Sequence, residues 1–260
     1  MELVEAEELS VGRLRSRRTW LRASAVRETL LERLGFVVER GGSYAVVSES
    51  REALRCLAMA LLKEEPPLAG SVRIAGIDLA GLPERSFRPL RRRVQALFPL
   101  RYGQLPPLQT VQQSFAEVLR AWHGGTTREE RDELVESAMI DCGLSEAVRD
   151  LFPAELDDLE RQLAALARAL LPGPDLLVCL GPAEGLDAVA ARELAERLRR
   201  LREDRRIALL LLVDDIAVAA ALADGMAVCH RGRLVEQGDA AAILALPAHD
   251  HTRRLLQHAA

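Results

Sequence analysis

At 260 residues the chain is long enough for one large α/β domain or a domain with a lobed insert. With 49% hydrophobic residues it can build a real core, which argues against disorder. A net charge of -4, with acids and bases interspersed, argues against a dedicated nucleic-acid surface.

Taken in chain order, the first segment of note is locally basic: Arg13, Arg15, Arg17, Arg18 and Arg22 read as a solvated loop, with Trp20 in it as a surface or partner contact. Residues 35–39 alternate weakly as a strand. Residues 44–47 are a short apolar run leading straight into a helical pattern over 52–63, and 71–74 alternate again. From 110 to 171 the pattern is almost wholly helical, over 111–122, 128–142 and 159–171, broken at Gly124-Gly125 and Phe152-Pro153. Residues 176–180 and 207–213 are continuous apolar runs, as in strands buried on both faces of a parallel sheet. A helix is predicted over 188–202. Residues 226–230 and 233–236 flank Arg231-Gly232 as a hairpin. This order describes a parallel α/β core interrupted by a helical lobe. The longest apolar run, 207–213, is far too short to span a bilayer, and no N-terminal signal peptide is visible. The expectation is a soluble, cytoplasmic protein with no direct membrane insertion and no nucleic-acid partner. Cys56, Cys142, Cys179 and Cys229 form no CxxC pair and read as buried thiols rather than metal ligands or disulfides.

Several stretches in this order carry a resemblance. They are Ala75-Gly76-Ile77-Asp78-Leu79, the run from Leu90 to Phe98, Leu166-Ala167-Arg168-Ala169-Leu170, Pro174-Asp175-Leu176-Leu177-Val178-Cys179, Gly185-Leu186-Asp187, the run from Gly232 to Gly238, and Pro247-Ala248-His249-Asp250-His251-Thr252. Together they resemble an ATP-binding-cassette (ABC) nucleotide-binding domain, and more narrowly the peptide/nickel importer branch. The resemblance implies a P-loop-NTPase-like parallel sheet core with N-terminal antiparallel strands, over 1–98 and 172–260, and an inserted α-helical subdomain over 99–171. It also implies Mg-ATP as cofactor, a membrane permease as partner, and a homo- or heterodimer with another ABC-type subunit.

The positions where such a domain carries its chemistry are changed. A Walker A loop needs glycines for its phosphate-wrapping amides, a lysine for the β and γ phosphates, and a hydroxyl for magnesium. Here its glycine positions hold Ser48 and Ala53, with Arg51 between them, its lysine position Leu54, and its hydroxyl position Arg55; the only lysine of the chain is Lys63. Side chains resist the positive φ that such a loop requires, and Ser50 reads instead as a helix N-cap. Arg51 and Arg55 near a helix start leave an anion site as the counter-reading. The two Walker B carboxylates are replaced by Leu180 and Gly181, with Glu184 and Asp187 reading as surface and D-loop residues beyond the strand. The signature motif reads Leu156-Asp157-Asp158-Leu159-Glu160, where carboxylates sit in a niche meant for an anion. The Q-loop glutamine aligns with Pro99 and the switch histidine with Asp214. The adenine-stacking aromatic falls near Gly12 or Arg13.

The sequence therefore predicts a pseudo-ATPase with no catalytic residue and no resident cofactor or metal, acting as a regulatory or scaffold subunit of a peptide/nickel-type importer or a related complex. The resemblance places each ATP between one subunit's Walker A and the other's signature, so neither half of a working site is expected here. Alternatives are a conventional ATP-powered subunit with divergent nucleotide binding, a scaffold of a non-transport complex, and a new ligand beside Leu54, Leu180 and Gly181.

Overall fold

The structure is a computed structural model that describes residues 1–19 and 22–259, with side chains described outside 14–26 and 258–260. Trp20 thus lies outside the described residues. The chain divides into two compact units, one of Met1–Glu39, Ser43–Phe87 and Leu210–Ala260, the other of Arg40–Gly42 and Arg88–Leu209.

In the first unit, β1 (Glu2–Thr19) and β2 (Arg22–Glu39) form a long antiparallel ladder. Strands β3 (Ser43–Ser48), β4 (Ala69–Ile74) and β5 (Ile77–Asp78) follow, with helix α1 (Arg51–Leu61) between β3 and β4. Near the C-terminus come β8 (Ala208–Val213), whose residues from Leu210 belong to this unit, then β9 (Gly225–His230) and β10 (Arg233–Asp239). Strand order here is β5-β4-β1-β2-β10-β9-β3-β8. β3 runs parallel to β9, with Ser48 opposite Cys229, and β3 is buried along its whole length. β9 and β10 pair antiparallel across Arg231 (φ 50°) and Gly232 (φ 79°). Two successive left-handed residues are what a tight type I′ hairpin turn requires, and a glycine in the second position makes it cheap. Helices α7 (Ile216–Leu222), α8 (Ala240–Ala245) and α9 (Asp250–Ala259) complete the unit.

The basic segment is a correction to the sequence reading. It is not a loop: the ladder continues to a pairing of Thr19 with Arg22. Alternation in Arg13-Leu14-Arg15-Ser16-Arg17 was a strand signal, and the arginines obscured it. Three register irregularities between Ala6 and Gly12 break the upstream alternation, so no clean period-two run marks the start of β1.

The second unit carries helix α2 (Glu84–Arg93) from Arg88 onward, and a parallel pair, β6 (Val94–Leu97) beside β7 (Leu176–Leu180). Its helices are α3 (Val111–Trp122), α4 (Arg128–Cys142), α5 (Asp158–Leu170) and α6 (Ala188–Arg205). Thr110 and Thr127 open α3 and α4 with reciprocal capping boxes to Gln113 and Glu130. Gly143 (φ 70°) closes α4. These local stop and start signals explain why α3 and α4 take the limits read from the sequence.

Among the described residues, no helix is long and apolar enough to cross a membrane.

Candidate functional site

In the first unit, the segment aligned with the Walker A loop is a connection of two residues, Glu49 and Ser50, between the end of β3 and the start of α1. Ser50 is the N-cap: its Oγ accepts from Ala53 N at 3.2 Å, and its carbonyl accepts from Leu54 N at 3.1 Å. Ser50 N donates to Ser48 Oγ at 3.3 Å. The amides of Ser50, Ala53 and Leu54 are thus engaged by Ser48 and Ser50. Ala53 and Leu54 lie inside the helix with their side chains in the core, Leu54 only 2% exposed. Arg51, the first helical residue, donates from Nε to Asp214 Oδ2 at 2.6 Å. Arg55 turns to Glu65, 3.2 Å away.

The adenine position is occupied differently from any stacking platform. A Cβ built on Gly12 would stand 2.0 Å from the Glu28 carbonyl oxygen, so the hairpin leaves no room for a side chain there. Arg13 bonds Glu28 at 3.0 Å and also Glu52, in the first turn of α1.

In the second unit, Leu180 ends β7 in the core, and Gly181 follows with φ 46°. The place of a Gly181 side chain faces Pro99 Cγ at 3.4 Å and Glu184 Oε2 at 3.3 Å. Glu184 is paired with Arg101, and Asp187 caps α6, its Oδ1 accepting from Val189 N and Ala190 N at 2.9 Å each. Pro99 opens a single 3-10 turn, Leu100–Tyr102. What joins these two segments is Gln162, fully buried on α5, whose Nε2 donates to Phe98 O and to Pro182 O, both at 2.9 Å. Sequence reasoning missed Gln162; a lone glutamine in an amphipathic helix carries no signal until its burial is known.

The signature counterpart begins α5. Leu156 is buried, Asp157 is the N-cap, and Asp158 and Leu159 are the first helical residues. Asp157 Oδ1 accepts from Glu160 N at 2.7 Å, and Asp157 N donates to Glu160 Oε2 at 3.1 Å, a capping box closed on itself. Arg161 adds bonds to Asp158, Pro153 O and Leu156 O.

No protein-family model matches the chain. Among characterised proteins, it is 34% identical over 226 residues to the di/tripeptide transport ATP-binding protein DppF of Pseudomonas aeruginosa, covering 87% of this chain and 70% of that one. The chain belongs to the family of ABC-transporter ATP-binding proteins. A second member, the probable peptide ABC transporter ATP-binding protein y4tS of Sinorhizobium fredii, is 30% identical over 237 residues, 91% of this chain and 67% of the relative.

Solved cassettes share the ABC fold at 18% identity. CbiO1 of Clostridium perfringens, part of the ABC transporter complex cbiONQ, superposes with a TM-score of 0.78 over 94% of this chain and 91% of its own. The dimeric cassette MJ0796 gives 0.75 over 91% and 98%. The α/β cassette fold with N-terminal antiparallel strands is therefore the one the sequence predicted.

Proposed function

We propose that this chain is the cassette subunit of a peptide importer, cytoplasmic and held at the inner face of the membrane by a permease, and that it serves there as a pseudo-ATPase. The peptide role draws on its relatives, which are named as ATP-binding proteins of peptide transport. The loss of turnover rests on one observation above all, the two-residue connection from Ser48 to Arg51. A phosphate is cradled by amides pointing outward from a glycine-rich loop. Here the amides of Ser50, Ala53 and Leu54 bond to Ser48 and Ser50, and the carboxylate of Asp214 already takes the Arg51 guanidinium. Leu180 and Gly181 offer no side-chain oxygen for magnesium. These residues do not fit a magnesium nucleotide, and no step of hydrolysis is derived through them.

A second reading is that of a conventional subunit that binds ATP and powers uptake. The relatives favour it directly: both are named ATP-binding proteins and match 87% and 91% of this chain. Calorimetry of Mg-ATP binding to the purified chain, with the melting temperature followed in parallel, separates the two readings. A ligand bound to the folded state raises the melting temperature by mass action. No heat and no shift at about 5 mM Mg-ATP, a concentration well above the affinity of any working site, fits the pseudo-ATPase. Saturable binding with a raised melting temperature establishes the conventional reading.

A further inference from the structure

At the edge of the candidate nucleotide connection, three side chains converge that the cassette reading leaves without a role. Strand register brings the first two together: Ser48 of β3 lies opposite Cys229 of the parallel strand β9, so Glu49, just past β3, stands beside His230, the last residue of β9. His230 Nδ1 stands 3.1 Å from Glu49 Oε2. The third residue, His251, is the second residue of α9, and its Nδ1 faces Glu49 Oε1 at 3.9 Å. The two imidazole rings lie 4.0 Å apart between centroids. One ligand atom from each of the three residues lies within 4.8 Å of the others.

We propose that Glu49, His230 and His251 form a binding site for a divalent transition-metal ion. Imidazole nitrogen and carboxylate oxygen are the ligands that zinc and its first-row neighbours accept. A tetrahedral zinc with bonds of about 2.0–2.2 Å holds its ligands roughly 3.4 Å apart. The two spacings to Glu49, 3.1 and 3.9 Å, bracket that value, and one ligand atom from each of the three residues lies within 4.8 Å of the others. Three protein ligands leave one position open, on the side where Glu49 is exposed.

The strongest independent sign is His251. It is 2% exposed, and its Nε2 is buried with no hydrogen-bond partner. Its Nδ1 stands beyond hydrogen-bond distance of the carboxylate. A buried imidazole nitrogen left in this way is costly unless something else engages it, and an ion between His251 and Glu49 would engage Nδ1 while leaving Nε2 as it is. An imidazole–carboxylate hydrogen bond alone accounts for Glu49 and His230 but leaves His251 unexplained. The site is also well supported. Glu236 of β10 accepts from Ala248 N at 2.7 Å and His249 N at 3.1 Å, and His249 Nδ1 accepts from His251 N at 3.1 Å. The approach to α9 is therefore fixed before any ion arrives. A bound ion would join α9 to the β3–α1 connection, linking the chain's last helix to the segment aligned with the Walker A loop.

The test uses the full chain stripped of metal by a chelator. Zinc is titrated against a chromophoric competitor, and cobalt is added separately to read the visible absorption of its ligand field. The site predicts about one equivalent bound, a cobalt spectrum of low coordination number, and a zinc-dependent rise in melting temperature. His230→Ala and Glu49→Gln alter side chains that are only partly buried, so both variants should fold, with metal-free melting close to the parent. Each should weaken zinc binding at least about tenfold. His123→Ala, in the other unit, should leave the affinity unchanged. Failure of the parent to bind zinc below about 1 mM, or an unchanged affinity in either His230→Ala or Glu49→Gln, overturns the proposal.

Discussion

The Arg51 guanidinium meets the Asp214 carboxylate at 2.6 Å, joining the first residue of α1 to the residue that follows β8. In the family alignment, one stands in the glycine-rich loop and the other at the switch histidine. Two positions that would otherwise address a phosphate are thus turned toward each other. Their side chains are 55% and 33% exposed, so water screens the pair and its stability contribution is small. A double-mutant cycle with Arg51→Ala and Asp214→Ala should give a coupling of about 0.2–1 kcal/mol by denaturant unfolding. A coupling of several kcal/mol would mean that the pair is a structural clamp, against this argument.

Three positions later in α1, the arithmetic reverses. Leu54 occupies the lysine position of a Walker A motif, yet its side chain is in the core. Leu54→Lys would therefore bury an ammonium with no anion on hand to meet it. We expect a loss of about 3–5 kcal/mol or outright failure to fold, measured by urea unfolding or by soluble yield. Arg51→Gly, at an exposed helix start, should cost no more than about 1 kcal/mol. If Leu54→Lys folds normally and gains Mg-ATP binding, the connection is more plastic than its hydrogen bonds imply, and the conventional reading gains accordingly.

Much of this local architecture was legible in the sequence because its causes are local. Ser50 announces a helix start and Arg231-Gly232 a tight hairpin, each acting within four residues. The strand over 176–180 was legible because a run of five apolar residues suits burial on both faces. The β1–β2 ladder was not: its alternation is broken by bulges and masked by arginines. Helix α2 was hidden by Pro89 inside it and by its four arginines after Phe87. The Glu49–His230–His251 cluster was out of reach altogether, because its members are separated by up to 202 residues and meet only through the β3–β9 register. Gln162 is a similar case, since only the approach of Phe98 and Pro182 gives its amide a purpose.

Asp157 offers a clean separation of charge from capping. Its carboxylate accepts from Glu160 N at 2.7 Å and opens α5 where a signature motif would place a serine. Serine caps helices about as well as aspartate. Asp157→Ser should hold stability within about 0.5 kcal/mol while removing one negative charge, whereas Asp157→Ala should lose about 0.5–2 kcal/mol. Thermal unfolding of the two variants tests this directly. Equal losses in both would show that the carboxylate stabilises α5 through its charge, by the helix dipole, rather than through its hydrogen bond.

The thiols set how the fold responds to alkali. Burial pushes Cys229 up to about 12, and burial raises Cys142 and Cys179 as well. In the unfolded chain these thiols titrate near about 8.5. Above that pH the unfolded state releases protons that the folded state keeps, so the unfolded state gains. Their contribution is fully present below about pH 8.5 and is lost as pH rises toward the folded values, by about 1.4 kcal/mol per pH unit for each thiol. Tyr44, its hydroxyl bonded by Gln237 at 2.8 Å and raised by burial to about 12, adds the same sign from about pH 10. The urea midpoint should therefore fall steadily between about pH 9 and 11, with a shallower slope in Cys229→Ala. All four cysteines are buried and free, so the folded protein at pH 8 should resist a thiol-specific disulfide reagent and react at four sites once unfolded. Rapid stoichiometric labelling of the folded chain, or a midpoint that holds constant to pH 11, would contradict the buried-thiol account.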